Sequence, residues 1–153
     1  MTFPQGDPMD EKPETIPLWP AGVPGAHDPA DLPRLEIHRP LVPLSWPVPG
    51  VVICPGGGYG GRAPHEAGPI ARWFNELGFW AAVVHYRVKP HGFPAPYDDA
   101  CRAMRVARSM AEGEGLRPDR LAIMGFSAGG HLAATVAVQP ELRREPADDL
   151  ASK

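Results

Sequence analysis

Ser127 stands between Gly125 and Gly129 in the run Leu121-Ala122-Ile123-Met124-Gly125-Phe126-Ser127-Ala128-Gly129-Gly130-His131-Leu132. A serine hydroxyl is a poor nucleophile at neutral pH. It becomes a useful one when a base takes its proton and fixed donors hold the oxyanion formed on attack. The bare Gly-x-Ser-x-Gly pattern is weak: with Gly at about 7% of average usage, roughly one random chain of this length in twenty contains it. Its setting strengthens it. A short apolar run precedes the serine and a helical pattern follows, the strand–turn–helix context in which a strained turn projects Oγ from a sheet edge. Glycines at 125 and 129 let strand and helix cross closely, and Ala128 at the helix start offers a free N–H and the positive end of the dipole. Upstream, Gly56-Gly57-Gly58 can curl so that an N–H faces a carbonyl oxygen, although such a run alone also reads as a flexible loop. The bland reading of 125–130 is a tight turn for a phosphate. Against it, the sequence lacks the Lys and Ser/Thr of a P-loop, and its first Gly-rich turn lacks Gly-x-Gly-x-x-Gly.

The remaining chemistry-bearing residues read mostly as structural. His131 lies four residues after Ser127 on the same predicted helix and cannot easily swing over it. His85 ends a predicted strand and His91 sits in the loop after it, so either is a weaker candidate for a base at the sheet edge. His65 reads as a residue at the start of a helix, and His27 and His38 lie in a proline-rich region. No two histidines have metal-ligand spacing, and no metal is expected. Asp98 and Asp99 are expected to precede a helix and cap its free N–H groups. Arg87 reads as an anchor at a strand end, and Cys54 and Cys101 as small core residues.

The chain has 153 residues, a formal charge of −3 and a pI near 6.0, with 43% hydrophobic and 22% charged residues. That is one core's worth of sequence. No basic face suggests nucleic acid, and no apolar run is long enough to span a membrane. The N-terminus has neither a basic n-region nor an apolar h-region, so a cytoplasmic location is expected. Of 21 prolines, 12 fall within the first 50 residues. Residues 1–34 are therefore expected to be a tail and an irregular lead-in with little regular structure, anchored by Leu18 and Trp19. Residues 35–139 form the domain proper, opening with a short strand from Leu35. Residues 140–153 are expected to be a charged, frayed end.

Within the domain, Val51 to Cys54, Phe79 to Val84 and Leu121 to Met124 are continuously apolar, as strands buried on both faces should be. Ile70, Trp73, Phe74 and Leu77 fall on one helical face, and Ala100, Ala103, Met104, Ala107 and Ala111 on another. A third helix runs from Ala128 to about Val138. Alternating strands and helices predict an α/β fold, a doubly wound and mostly parallel sheet.

The segments Ile16-Pro17-Leu18-Trp19-Pro20, Pro55-Gly56-Gly57-Gly58-Tyr59, Pro64-His65-Glu66, Trp73 to Gly78, Tyr86-Arg87, Pro94 to Ala100 and Gly125 to Leu132 resemble the esterase/lipase branch of the α/β-hydrolases. The acetylxylan-esterase-like carbohydrate-ester hydrolases are the most similar. The resemblance covers about Ile16 to Val138 and corresponds to the N-terminal portion of that fold, through the elbow strand and helix. It implies Ser127 as nucleophile, the amides of Gly57 or Gly58 with that of Ala128 as oxyanion hole, and Tyr59 lining the substrate pocket. It implies hydrolysis of a short acyl or acetylated-sugar ester through an acyl-serine, with no cofactor, and hints at a buried hydrogen-bonding role for Asp99. In that family the acid and then the histidine follow the serine. Here only His131, Glu141, Glu145, Asp148 and Asp149 do. The expectation is thus a fragment with weak or no activity alone. An exposed edge at Leu121 to Met124 is expected to promote self-association. The alternative is a non-catalytic half-domain that completes its sheet with a partner chain.

Overall fold

Two parallel pairings form one half of the sheet, where three apolar runs joined by helical crossovers bury both faces. The computed structural model describes residues 12–40 and 46–139. Strands β1 (Glu14–Pro17), β2 (Arg34–His38), β3 (Val48–Cys54), β4 (Trp80–His85) and β5 (Leu116–Gly125) lie in the order β1-β2-β4-β3-β5. β3 runs parallel to both β4 and β5, with Val52 opposite Ala82 on one side and Ile123 on the other. β2 joins β4 antiparallel, and β1 joins β2 antiparallel, so the sheet is mixed.

Period-two alternation sorts the side chains of β3 and β4 to opposite faces. Val51, Ile53, Ala81 and Val83 pack with Ala71, Ile70 and Phe74 of helix α1 (Gly68–Glu76). Val52, Cys54, Trp80, Ala82 and Val84 meet Tyr97, Ala100, Ala103 and Ala107 of α2 (Ala95–Ser109) and Leu132 of α4 (Ala128–Val138). Helices on both faces make the predicted doubly wound layering. A short helix α3 (Ala111–Glu114) leads into β5, ending at Gly115 in the left-handed conformation.

Three expectations need correction or extension. The lead-in is not wholly irregular: Glu14–Pro17 is a strand, with Thr15 opposite Glu36 and Ile16 opposite Leu35. Proline is tolerated there because β1 is an edge strand and Pro17 is its last residue. The helix expected from Ala100 begins at Ala95, which puts Asp98 and Asp99 inside it. Asp99 is not a cap. It is fully buried and accepts hydrogen bonds from Trp19 Nε1 (2.8 Å), the Arg87 backbone N–H (2.8 Å) and the Arg87 guanidinium (2.9 Å from both Nε and Nη2). This is the buried role the family resemblance hinted at. β5 is longer than Leu121 to Met124, because the pairing with β3 resumes across an irregularity between Val48 and Gly50. The expected anchors hold: Leu18 is fully buried and its carbonyl accepts from Arg102 Nε at 2.7 Å. Residues 1–11 of the expected tail, and the charged end at 140–153, lie outside the described residues.

Candidate active site

At the C-terminal end of β5 the chain turns into α4 through Ser127, whose φ of 50° and ψ of −119° lie in a region L-residues rarely occupy. Such strain persists only where surrounding packing fixes it. Here the packing is backbone against backbone. Phe126 N–H donates to the Cys54 carbonyl (3.2 Å) and Gly129 N–H to the Phe126 carbonyl (2.8 Å). A Cβ at Gly125 would overlap the Gly129 carbonyl, and one at Gly129 would overlap the carbonyls of Cys54 and Pro55. The two glycines are therefore what allows the crossing. Ser127 is left exposed, and its hydroxyl makes no hydrogen bond that caps α4. Ala128 is the first helical residue, so its N–H has no acceptor within the helix.

The Gly-rich loop leaves β3 immediately beside this turn: a Cβ on Gly56 would come within 3.2 Å of Ser127 Cβ. The loop has a defined shape. Gly56 N–H donates to Glu66 Oε2 (2.8 Å), and the Gly56 carbonyl accepts from Ala63 N–H (2.9 Å). Gly60 N–H closes onto the Gly57 carbonyl at 2.9 Å. Gly57, Gly58 and Tyr59 follow one another at positive φ (134°, 58° and 57°). Glu66 thus takes up the first glycine amide. Among the described residues, no backbone carbonyl accepts from the amides of Gly57 and Gly58 outside the strand ladders.

Tyr59 and Ser127 are the two non-glycine residues at positive φ among those described, and both lie at this site. The Tyr59 hydroxyl is 2.8 Å from His131 Nδ1, and its ring meets Tyr86 edge-on at 6.2 Å between centroids. Burial, with the buried Cys54 thiol nearby, pushes the Tyr59 hydroxyl above its ordinary pKa. Tyr86 donates its own hydroxyl to the Pro55 carbonyl, fixing the start of the loop.

The histidines are placed elsewhere. His131 is on the first turn of α4 and engages Tyr59, in keeping with the structural reading. His38 and His85 flank one carboxylate, with Nε2 atoms 2.7 Å and 3.0 Å from the two oxygens of Glu36. The hydrogen bonds from His38 and then His85 hold that carboxyl far below the usual range. His65 is exposed, 3.7 Å from Glu66, and His27 contacts the Gly25 carbonyl. Among the described residues, no histidine ring is hydrogen-bonded to the Ser127 hydroxyl. Among the described residues no three His, Cys, Asp or Glu side chains are arranged to hold a metal ion. A cleft of about 380 Å³ opens behind the loop, lined by Glu36, Arg62, His85 and Pro55, and takes no residue from the serine turn.

Ser127, Ala128, Gly57, Gly58 and Tyr59 are therefore brought together from segments some seventy residues apart. Two contacts were not legible beforehand: Glu66 on the Gly56 amide and Tyr59 on His131. Pro64-His65-Glu66 was visible as a motif, but nothing in it says which backbone group the carboxylate reaches.

A family model described as the alpha/beta hydrolase fold matches residues 51–149, and the chain belongs to that family. Among its relatives, the acetylxylan esterase of Xylanibacter ruminicola is 36% identical over 98 residues, covering 63% of this chain and 20% of that protein. Carboxylesterase NlhH of Mycobacterium tuberculosis is 38% identical over 112 residues, covering 70% and 34%. Among solved structures, the acetyl ester-xyloside bifunctional hydrolase of Caldicellulosiruptor lactoaceticus superposes with a TM-score of 0.75 at 40% identity, covering 82% of this chain and 46% of that one. A thermophilic esterase of Thermogutta terrifontis gives 0.74 at 26% identity, covering 91% and 48%. The chain thus spans about half of these solved chains and a fifth to a third of these curated relatives. No helix among the described residues is long and apolar enough to cross a membrane.

Proposed function

We propose that this chain carries the nucleophile and oxyanion hole of a serine hydrolase acting on carboxylic esters. The observation that carries the reading is the strained Ser127 at the β5–α4 turn, with the free-ended amide of Ala128 behind it and the Gly-rich loop alongside. Ser127 Oγ attacks the ester carbonyl, and the carbonyl oxygen becomes an oxyanion received by the amides of Ala128 and of Gly57 or Gly58. The serine proton passes to the leaving oxygen as collapse expels the alcohol and leaves an acyl-serine, which water then hydrolyses to acid and free serine. Each atom is accounted for by ester, serine and water, so the reaction calls for no cofactor. Tyr59 lines the pocket. The names of the relatives support a short acyl group, acetylated sugar among the candidates.

No described residue supplies the base, and a missing base costs orders of magnitude in rate. Turnover by the chain alone is therefore expected to be slow, and acylation is the step to measure. After exposure to p-nitrophenyl acetate, mass spectrometry is expected to find one acetyl group on the Ser127 peptide, absent from Ser127→Ala. Acetyl groups on lysines with none at Ser127, in a folded sample, overturn the assignment.

A second reading rests on β5. Among the described residues it pairs on one side only, with β3, and Ala122 on it is exposed. Unpaired strand edges template association. In this reading the sheet continues into another chain through β5, and light scattering is expected to give a mass above the monomer. A monodisperse monomer overturns it.

A further inference from the structure

An oxyanion hole assembled from Ala128 and the Gly57–Gly58 loop has its two donors on separate segments, so its geometry depends on what holds one segment to the other. The loop is not self-sufficient in this respect. Its tightest turn runs through three consecutive positive-φ residues, and the third is a tyrosine, which gains nothing from that conformation. Something must therefore fix Tyr59. Its carbonyl accepts from Lys89 N–H at 2.7 Å, which ties the loop to the segment after β4. Its hydroxyl reaches the other way, to His131 Nδ1 at 2.8 Å, with the two rings edge-on at 6.1 Å. His131 is one turn along the helix from Ser127, and its own N–H donates to the Ser127 carbonyl at 3.0 Å. With His131 neutral and its proton on Nε2, the tyrosine hydroxyl donates and Nδ1 accepts.

We infer that the Tyr59–His131 hydrogen bond is a latch that sets the loop amides at their working distance from Ser127 and Ala128, making both side chains positioning residues. The inference rests on the serine-hydrolase reading and adds a role to Tyr59. Its ring packs edge-on against Tyr86 while its hydroxyl reaches His131 on α4. A misplacement of about 1 Å in such donors is enough to cost up to about a hundredfold in rate.

The test uses the full chain, Ser127→Ala as the control, and four further variants: Tyr59→Phe, His131→Leu, their double, and His131→Asn, which restores a polar atom where Nδ1 stood. Nitrogen-15 NMR of the His131 ring and of the Gly57 and Gly58 amides reads the latch without any turnover. Ser127-dependent acylation by p-nitrophenyl acetate reads its consequence. Tyr59→Phe is expected to shift the Nδ1 signal and both glycine amides. It and His131→Leu are each expected to slow acylation about tenfold while apparent substrate affinity changes less than about twofold. The double variant is expected to be no slower than either single one, because both remove the same bond, and His131→Asn is expected to recover most of the rate. Unmoved Gly57 and Gly58 amides in Tyr59→Phe overturn the latch, as do losses that multiply in the double variant. A rate that Ser127→Ala leaves unchanged overturns the serine reading instead, and the NMR result tells the two failures apart.

Discussion

The two flanks of the sheet are held in opposite ways. On the β1–β2 side, polar groups do the joining. The buried Asp99 collects Trp19 and Arg87, and Arg87 Nη1 in turn donates to the carbonyls of Pro24 (2.6 Å) and Ala26 (3.2 Å). Arg39 bridges Glu14 and Glu114 at 2.6 Å each. On the β5–α4 side the helix is mostly apolar, with His131 and Thr135 its polar side chains, yet Ala134, Ala137 and Val138 face outward, Val138 being 70% exposed. A helix with so little polar surface ordinarily belongs largely in an interior. The contrast teaches that the flank carrying Ser127 relies on close backbone packing at the turn, whereas the opposite flank relies on directed bonds that survive exposure of the neighbouring lead-in.

Breaking the polar flank is expected to give the largest effect. Asp99→Ala leaves the Arg87 guanidinium, only 3% exposed, without its counter-charge, and is expected to cost about 3–5 kcal/mol in urea unfolding. A loss below about 1 kcal/mol would mean the Trp19–Asp99–Arg87 cluster does not bind the lead-in to the sheet. A smaller effect is expected at Glu36→Gln, about 1–2 kcal/mol at neutral pH, because two histidines lose a charged acceptor at a partly exposed position. The sign with pH follows from the depressed carboxyl. Its stabilisation is full above the ordinary carboxylate value of 4.5 and is lost as pH falls through the folded value below it. The gap between wild type and Glu36→Gln should therefore hold from pH 7 to about 5 and narrow in stronger acid; a gap that widens there would rule out the two hydrogen bonds. The smallest effect is expected at Val138→Ser, within about 0.5 kcal/mol for a surface change. A larger shift that grows with protein concentration would show the apolar flank to be covered in solution.

The same contrast explains what the sequence disclosed. β3, β4 and the start of α4 were readable because strands buried on both faces must be continuously apolar, and because Gly125 and Gly129 around Ser127 punctuate the turn. β1 was hidden by prolines at 13 and 17 that an edge strand tolerates. The first half of β5 was hidden by Arg117-Pro118-Asp119-Arg120, which carries no apolar run. Asp99 shows why polar residues are harder than apolar ones: near the start of a helix an aspartate suits a cap, and only the arrival of Arg87 and Trp19 from elsewhere makes it a buried ion. Tyr59 and His131 are 72 residues apart, and no local pattern joins them.

Cys54 supplies a built-in clock for this architecture. Its carbonyl receives the Phe126 N–H of the serine turn, while its side chain is fully buried and its thiol is pushed up to about 12 by that burial. Such a thiol is almost never a thiolate at neutral pH, and an alkylating reagent reaches it only when the α2–α4 layer that covers it lifts from the sheet. The rate at which Cys54 is capped, read separately from Cys101 by peptide mass, thus times how often α4, which begins at the serine turn, and α2 lift from the sheet.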